Sequence, residues 1–214
     1  MQPQCKKRMV RAMASSPGSS DGRSARRVRT YEAVVDAMLA LIDGGNLRPT
    51  AKQVSEQAGV SLRTVFQHFS DLEMLFATAA DRQAERLGHL MKVVPIHLPF
   101  EVRLMAFVET RCAVLEAISP VRRAGVLQVP FSNAIATRMK WVRRAARDES
   151  DRVFAAELKE LPEDEREDIA TALHVATEWY TWETLRSYDN LPVSDAKRVM
   201  TRMIRALLRK ETPK

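Results

Sequence analysis

The sequence predicts an all-α protein: an N-terminal helix-turn-helix domain of three helices, then a C-terminal helical bundle, about nine helices in all, assembled as a homodimer. Composition is the first ground. The 214 residues include only 7 Gly and long tracts of Ala, Leu, Arg, Glu and Met, with no alternating β-branched run that would read as a strand. Apolar spacing is the second, because hydrophobic residues recur every three or four positions in segments bounded by Pro or Gly. The third is the stretch 50–69, TAKQVSEQAGVSLRTVFQHF, which reads as two short helices joined by one sharp turn. An apolar content of 45% is ample for a buried core. We divide the chain into a basic, disordered arm (1–25), a helix-turn-helix domain (26–72) and a helical domain for ligand binding and dimerisation (73–214).

The arm contains SSPGSSDG and little that could bury apolar area, hence the expectation of disorder. Over 29–44, Tyr31, Val34, Val35, Met38, Leu41 and Ile42 share a helical face, and Gly44-Gly45 ends that helix. This first helix braces the next two. Thr50 is the expected N-cap of a helix over 51–58. Gly59 stops it, since a left-handed residue at that point strains any side chain with a Cβ. Ser61 caps a second helix to about His68. Val54, Ala58, Val60, Val65, Phe66 and Phe69 are expected between the two helices, with the small Ser55 at their closest approach. Lys52, Gln53, Glu56, Gln57, Arg63, Thr64 and Gln67 are expected outside. Ser70-Asp71 caps a fourth helix to about residue 92, with Glu73 closing a capping box. Leu75, Phe76, Ala79 and Ala80 on that helix face the head, and Leu87, Leu90 and Met91 reach the second domain.

Pro95 and Pro99 bracket a break. The next segment, 100–118, is apolar nearly all round through Val102, Leu104, Met105, Phe107, Val108, Val114, Leu115 and Ile118, as befits the middle of a bundle. Pro120 is expected to open a separate short helix to about 128. Ser132 or Asn133 caps a long helix through Leu158, and Pro162 opens an eighth whose Glu163, Asp164 and Glu165 suit its positive dipole end. The eighth helix carries two apolar stripes: Ile169, Leu173, Ala176, Tyr180 and Thr184; and Val175, Trp179 and Trp182. The ninth, over 194–209, is similarly broad through Ala196, Val199, Met200, Met203, Ile204, Leu207 and Leu208. One bundle core cannot cover both stripes, so the last two helices are expected to meet their copies across a two-fold axis.

In a helix-turn-helix the second helix enters the DNA major groove and its first residues meet base edges; here these are Ser61, Leu62, Arg63, Thr64 and Gln67. The plain alternative is a structural αα-corner. The longer run TAKQVSEQAGVSLRTVFQHFSDLEMLF resembles the DNA-binding segment of the TetR (tetracycline repressor) family. The family's pattern is a Thr, a short helix, Ala-Gly-Val-Ser, an aromatic, His/Tyr-Phe, and a helix opening Ser-x-x-Glu. Ala58, Gly59, Val60, Ser61, Thr64, Phe66, His68, Phe69, Ser70, Glu73 and Leu75 match it. Phe66 stands where the family usually has Tyr, which removes a phosphate-binding hydroxyl. Leu72 stands where it usually has Lys, which removes a second phosphate contact. The expected DNA contacts are therefore Arg26, Arg27, Arg29, Thr50, Lys52, Ser61, Leu62, Arg63, Thr64, Phe66, Gln67 and His68. The resemblance also implies a homodimer through the last two helices and a small-molecule cavity in the second domain whose occupation moves the DNA-binding heads.

The net charge of +7 resides in the first 29 residues, where Lys6, Lys7, Arg8, Arg11, Arg23, Arg26, Arg27 and Arg29 face Asp21 alone; the remainder holds 26 basic and 26 acidic residues. A basic arm beside a neutral body suits a polyanion such as duplex DNA. The two cysteines, Cys5 and Cys112, imply no disulfide framework, and a reducing cytoplasm is the simplest setting. No apolar stretch of secretory length follows Lys6, Lys7 and Arg8 and no apolar span of about 20 residues occurs, so neither a leader nor a membrane partner is expected. His68, His89, His97 and His174 lack ligand spacing with Cys or carboxylates, and there is no Gly-rich phosphate loop, so no enzyme, metal or cofactor is expected.

For the second domain, Met105, Phe107, Arg111, Leu127, Met139, His174, Trp179 and Trp182 are the expected walls of a pocket for a small apolar or aromatic effector. Plain core packing is the competing reading for each Met and aromatic residue. Arg111, on an otherwise dry helix, needs a ligand or a partner such as Glu109 or Glu178. The sequence thus points to a DNA-binding transcriptional regulator, a repressor released by that effector. The alternatives are a helical adaptor for protein or membrane surfaces, and a DNA-binding regulator with no effector.

Overall fold

The computed structural model describes residues 20–209, and every regular element among them is helical. The head consists of α1 (Ser20–Asp43), α2 (Ala51–Ala58) and α3 (Leu62–His68), and α4 (Leu72–Arg86) leads out of it. The bundle is α5 (Phe100–Val126), α6 (Asn133–Val153), α7 (Ala155–Lys159), α8 (Glu163–Thr177), α9 (Trp179–Glu183) and α10 (Val193–Leu208). No helix among the described residues is long and apolar enough to cross a membrane.

Several boundaries differ from expectation for identifiable reasons. The first helix starts at Ser20, so the last part of the arm expected to be disordered, including Ala25, is helical, and Arg26, Arg27 and Arg29 lie within α1. The rest of the arm, residues 1–19 with Cys5, Lys6, Lys7, Arg8 and Arg11, lies outside the described residues. The fourth helix ends at Arg86 instead of about 92. Gly88 opens a 3-10 turn there, and the chain bends to bring Val94, 2% exposed, into the bundle core.

The expected break at Pro120 is absent: α5 runs straight through it. Pro120 cannot donate to the carbonyl four residues earlier, but its neighbours Ser119, Val121, Ala124 and Gly125 are all buried and fix the backbone on both sides. Nor is α5 dry all round, because Val102 and Met105 are half exposed. The long helix expected to reach Leu158 breaks at Phe154, which carries its fully buried ring against Phe107 at 5.1 Å and Phe100 at 6.2 Å.

The eighth helix is likewise broken. Glu178 is extended (ψ 169), and α9 and a π-helical turn, Thr184–Tyr188, follow. The break shifts the register of the two expected stripes. Trp179 and Trp182 turn into the core, whereas Val175 and Tyr180 are about half exposed. Trp182 Nε1 donates to Glu116 at 2.8 Å, and Trp179 Nε1 to the hydroxyl of Ser119 at 2.9 Å. Ala196, Met200, Ile204 and Leu208 of α10 are buried within the same chain, and Val199, Met203 and Leu207 are only partly buried. The expected surplus of apolar surface on the last two helices is therefore smaller than the sequence implied.

Two hydrophobic cores result. Leu104, Phe107, Cys112, Phe154, Leu173, Trp182, Met200 and Ile204 belong to the bundle. Val34, Met38, Ile42, Val54, Val65, Phe69, Leu75 and Phe76 form the core of the head, which also takes in Val121, Ala124 and Ile135 from the end of α5 and the start of α6.

Candidate nucleic-acid interface

The local chemistry of the head fixes the angle at which α3 is presented. The Thr50 hydroxyl accepts from the N–H of Gln53 at 3.3 Å, and the Gln53 side chain accepts from the N–H of Thr50 at 2.9 Å, closing a capping box. Gly59 is left-handed (φ 66), and the N–H of Val60 reaches back to the carbonyl of Ser55 at 3.0 Å, which completes the helix stop. The Ser61 hydroxyl accepts from the N–H of Thr64 at 3.1 Å and caps α3. Tyr31 of α1 stacks on Phe69 with ring centroids 4.9 Å apart and meets His68 edge-on at 6.1 Å. Both ends of α3 are thus held by side chains that sequence spacing identified.

Val65 and Phe69 face inward, each 1% exposed. Leu62, Arg63, Phe66 and Gln67 form the outer face. Phe66 was expected between the helices but is half exposed, because one step along a helix from the buried Val65 turns it by about 100°. Arg63 has no hydrogen bond or ion pair among the described residues. Lys52 only approaches Glu56 at 3.9 Å on an open surface. Arg26, Arg27 and Arg29 are exposed along the first part of α1. Leu72 is half buried and packs against the core of the head. Asp71 caps α4 by accepting the N–H of Met74 at 2.7 Å; that bond, with the Ser70 hydroxyl second, lowers its carboxyl pKa. Glu73 does not close the expected capping box; it receives the hydroxyl of Ser132, which caps α6.

The residues expected to line one effector pocket are dispersed. Met105 lies in a surface groove between α5 and α10. Phe107 and Trp182 are fully buried core, and Leu127 is exposed at the end of α5. Trp179 is held by Ser119. His174 is buried between α6 and α8, 3.2 Å from Arg143 and 3.7 Å from Glu178; burial first, with Arg143 among the lesser causes, lowers its pKa. Arg111 finds neither Glu109 nor Glu178. Its guanidinium binds Glu149 at 2.9 Å and the carbonyl of Ala146 at 2.8 Å, 4.9 Å from the centre of the Phe107 ring. Glu109 is taken by Lys197 and Glu178 by Arg143. Only Arg111 and Met139 touch the two cavities that open between α5 and α6. One, of about 410 Å³, is lined by Arg111, Val114, Leu115, Val142 and Glu149; the other, of about 80 Å³, by Phe76, Ile118, Arg122, Met139 and Val142. Arg122 escaped the sequence reading because its burial depends on how α4 and α6 close over α5.

No protein-family model and no curated protein matches the sequence. Solved structures do. A transcriptional regulator from Rhodococcus sp. Rha1 superposes with a TM-score of 0.63 at 19% identity, over 85% of this chain and 95% of its own. A TetR-like transcriptional regulator from Rhodococcus sp. RHA1 superposes with a TM-score of 0.58 at 16% identity, over 92% of this chain and 100% of its own. From the helix-turn-helix head to α10, the chain has the fold of the TetR-like transcriptional regulators.

Proposed function

We propose that the chain is a sequence-specific DNA-binding transcriptional regulator, acting as a repressor and as a homodimer. The observation that carries this reading is the outer face of α3, where Leu62, Arg63, Phe66 and Gln67 stand exposed on a helix capped at its start and clamped at its end. A helix so presented inserts into the major groove, and an unpaired guanidinium is free to fork onto guanine. Ser61, Thr64, Thr50, Lys52 and His68 flank that face, and Arg26, Arg27 and Arg29 extend the positive charge along α1 toward the phosphate backbone. The superposed Rhodococcus proteins, both transcriptional regulators, support the same reading.

The dimer is assigned to α8 and α10, where Val175, Val199, Met203 and Leu207 remain partly uncovered. The cavities beside α5 and α6 are assigned to a small effector that releases DNA by favouring a different placement of α4. Selection of bound duplexes from a random library, followed by retardation assays at moderate salt, tests the proposal. Enrichment of a palindromic site supports it. Retardation of all sequences alike points to non-specific electrostatics, and no retardation leaves the adaptor reading.

A further inference from the structure

We propose that the cleft between α4, α5 and α6 takes the head of an amphipathic carboxylate against Arg122, and that this anion competes with Asp81 for Arg138. The inference rests on the effector reading above and names the effector's chemical class.

Arg122 lies on α5, largely withdrawn from water, and its Nε has no hydrogen-bond partner. It forms no ion pair among the described residues, and its guanidinium stands 5.8 Å from the centre of the Trp179 ring. Tyr180 and then Glu178 act on it electrostatically, and Glu178 is already bound by Arg143 at 2.9 Å. The two arginines of the bundle that are more deeply buried are satisfied: Arg103 by Glu157 and two carbonyls, Arg111 by Glu149 and a carbonyl. A guanidinium removed from water without a counter-charge is costly, and an anion beside it removes that cost.

The surroundings of Arg122 define the rest of the ligand. The cavity it lines, about 80 Å³, is walled by Phe76, Ala80, Ile118, Ile135 and Met139. That space admits a planar carboxylate and its first carbons. Val142 lines both this cavity and the neighbouring one of about 410 Å³, where Met91, Val93, Val114 and Leu115 offer apolar surface for a chain or ring. At the far end Arg111 is already neutralised by Glu149. Lys92 and Arg152 stand at the rim of the larger cavity, and within the small one Arg122 is the cation without an ion pair among the described residues, which matches a carboxylate meeting the guanidinium fork there.

Arg138 of α6 also lines the small cavity and is ion-paired with Asp81 of α4. A carboxylate bound to Arg122 lies beside that pair and competes for Arg138. Losing the Asp81 link removes a partly exposed tie between α6 and α4, the helix whose Leu75, Phe76 and Ala79 belong to the core of the head. The anchor is thus placed to translate charge into movement of the head.

Isothermal titration calorimetry of the full chain without DNA, using decanoate, 1-decanol and decylamine, tests this independently of any operator. Decanoate is expected to bind about tenfold or more tighter than decanol, the scale of one charge-assisted hydrogen bond. Decylamine is expected not to bind. Arg122→Met should erase the advantage of decanoate over decanol, and Arg122→Lys should restore part of it. Asp81→Asn, which frees Arg138, should tighten decanoate alone. Equal affinity for decanoate and decanol, no decanoate binding, or no response to Asp81→Asn overturns the proposal. If Arg122→Met fails to fold, the comparison of the three probes on the unaltered chain and the Asp81→Asn result decide.

Discussion

The hydroxyl of Ser132 donates to the carboxylate of Glu73 while accepting the N–H of Ile135 at 3.1 Å, so one side chain caps α6 and ties it to the first turn of α4. Removing each partner separates the two roles. Ser132→Ala loses cap and tie together and should cost about 2 kcal/mol. Glu73→Ala loses only the tie and should cost about 1 kcal/mol. Urea denaturation followed by circular dichroism measures both, and equal losses would mean that the cap contributes nothing.

Arg63→Ala should weaken binding to the selected site by about 1 to 3 kcal/mol and binding to random duplex much less. Fluorescence anisotropy on both duplexes gives the comparison. Equal losses would reassign Arg63 to a phosphate.

Gly59 has a φ of +66 with nothing within 4 Å of where a Cβ would stand. The penalty of Gly59→Ala is thus one of backbone conformation alone, about 1 kcal/mol. The melting temperature should fall by about 2 to 4 °C for a chain of this size. An unchanged or higher value would show that the turn tolerates a side chain there.

Arg103, 4% exposed, donates to the carbonyls of Leu98 and Val153 and to Glu157. Arg103→Met strands one buried and two partly buried acceptors, among them a carboxylate, and should cost about 3 to 5 kcal/mol. Lys197→Met removes a pair whose Glu109 is mostly solvated and should cost less than about 1 kcal/mol. Chemical denaturation should separate the two variants clearly; similar losses would contradict this assignment of burial.

Cys112 is fully buried against Met200, its sulfur 3.6 Å from the thioether, and burial pushes the thiol pKa up from 9.0 to about 12. The folded state therefore holds this proton more tightly than the unfolded state. Its contribution to stability is complete below about pH 9 and is lost as pH rises from there through about 12. Cys112→Ala should flatten the decline of stability above pH 9, whatever its effect at pH 7. A slope identical to that of the unaltered chain would locate the decline elsewhere.

The head was legible because its signals are local: a hydroxyl at a cap, a Gly that must be left-handed, a three-to-four spacing of apolar residues. Thr50, Gly59 and Ser61 each satisfy backbone groups a few residues away, so sequence spacing alone sufficed. Pro120 misled because its local preference yields to the buried residues on either side. The α8 stripes misled because one extended residue, Glu178, rotates everything after it. The partner of Arg111 depended on which face of α6 lies opposite, information that no single helix contains. Arg122 was missed for the same reason.

The core of the head includes Val121, Ala124 and Ile135 from the bundle, and this bears on interchangeability. A fragment cut at residue 72 loses these three side chains together with Leu75, Phe76 and Ala79, which uncovers the inner side of α1. The head is therefore not a cassette that can be grafted onto another protein of this fold by splicing at the start of α4. A functional chimera must carry the seam along, either by importing the matching residues of α5 and α6 or by redesigning them to fit the new head. By the same token, divergence at Val121, Ala124 or Ile135 would be constrained by the packing of the head as much as by the bundle in which those residues reside.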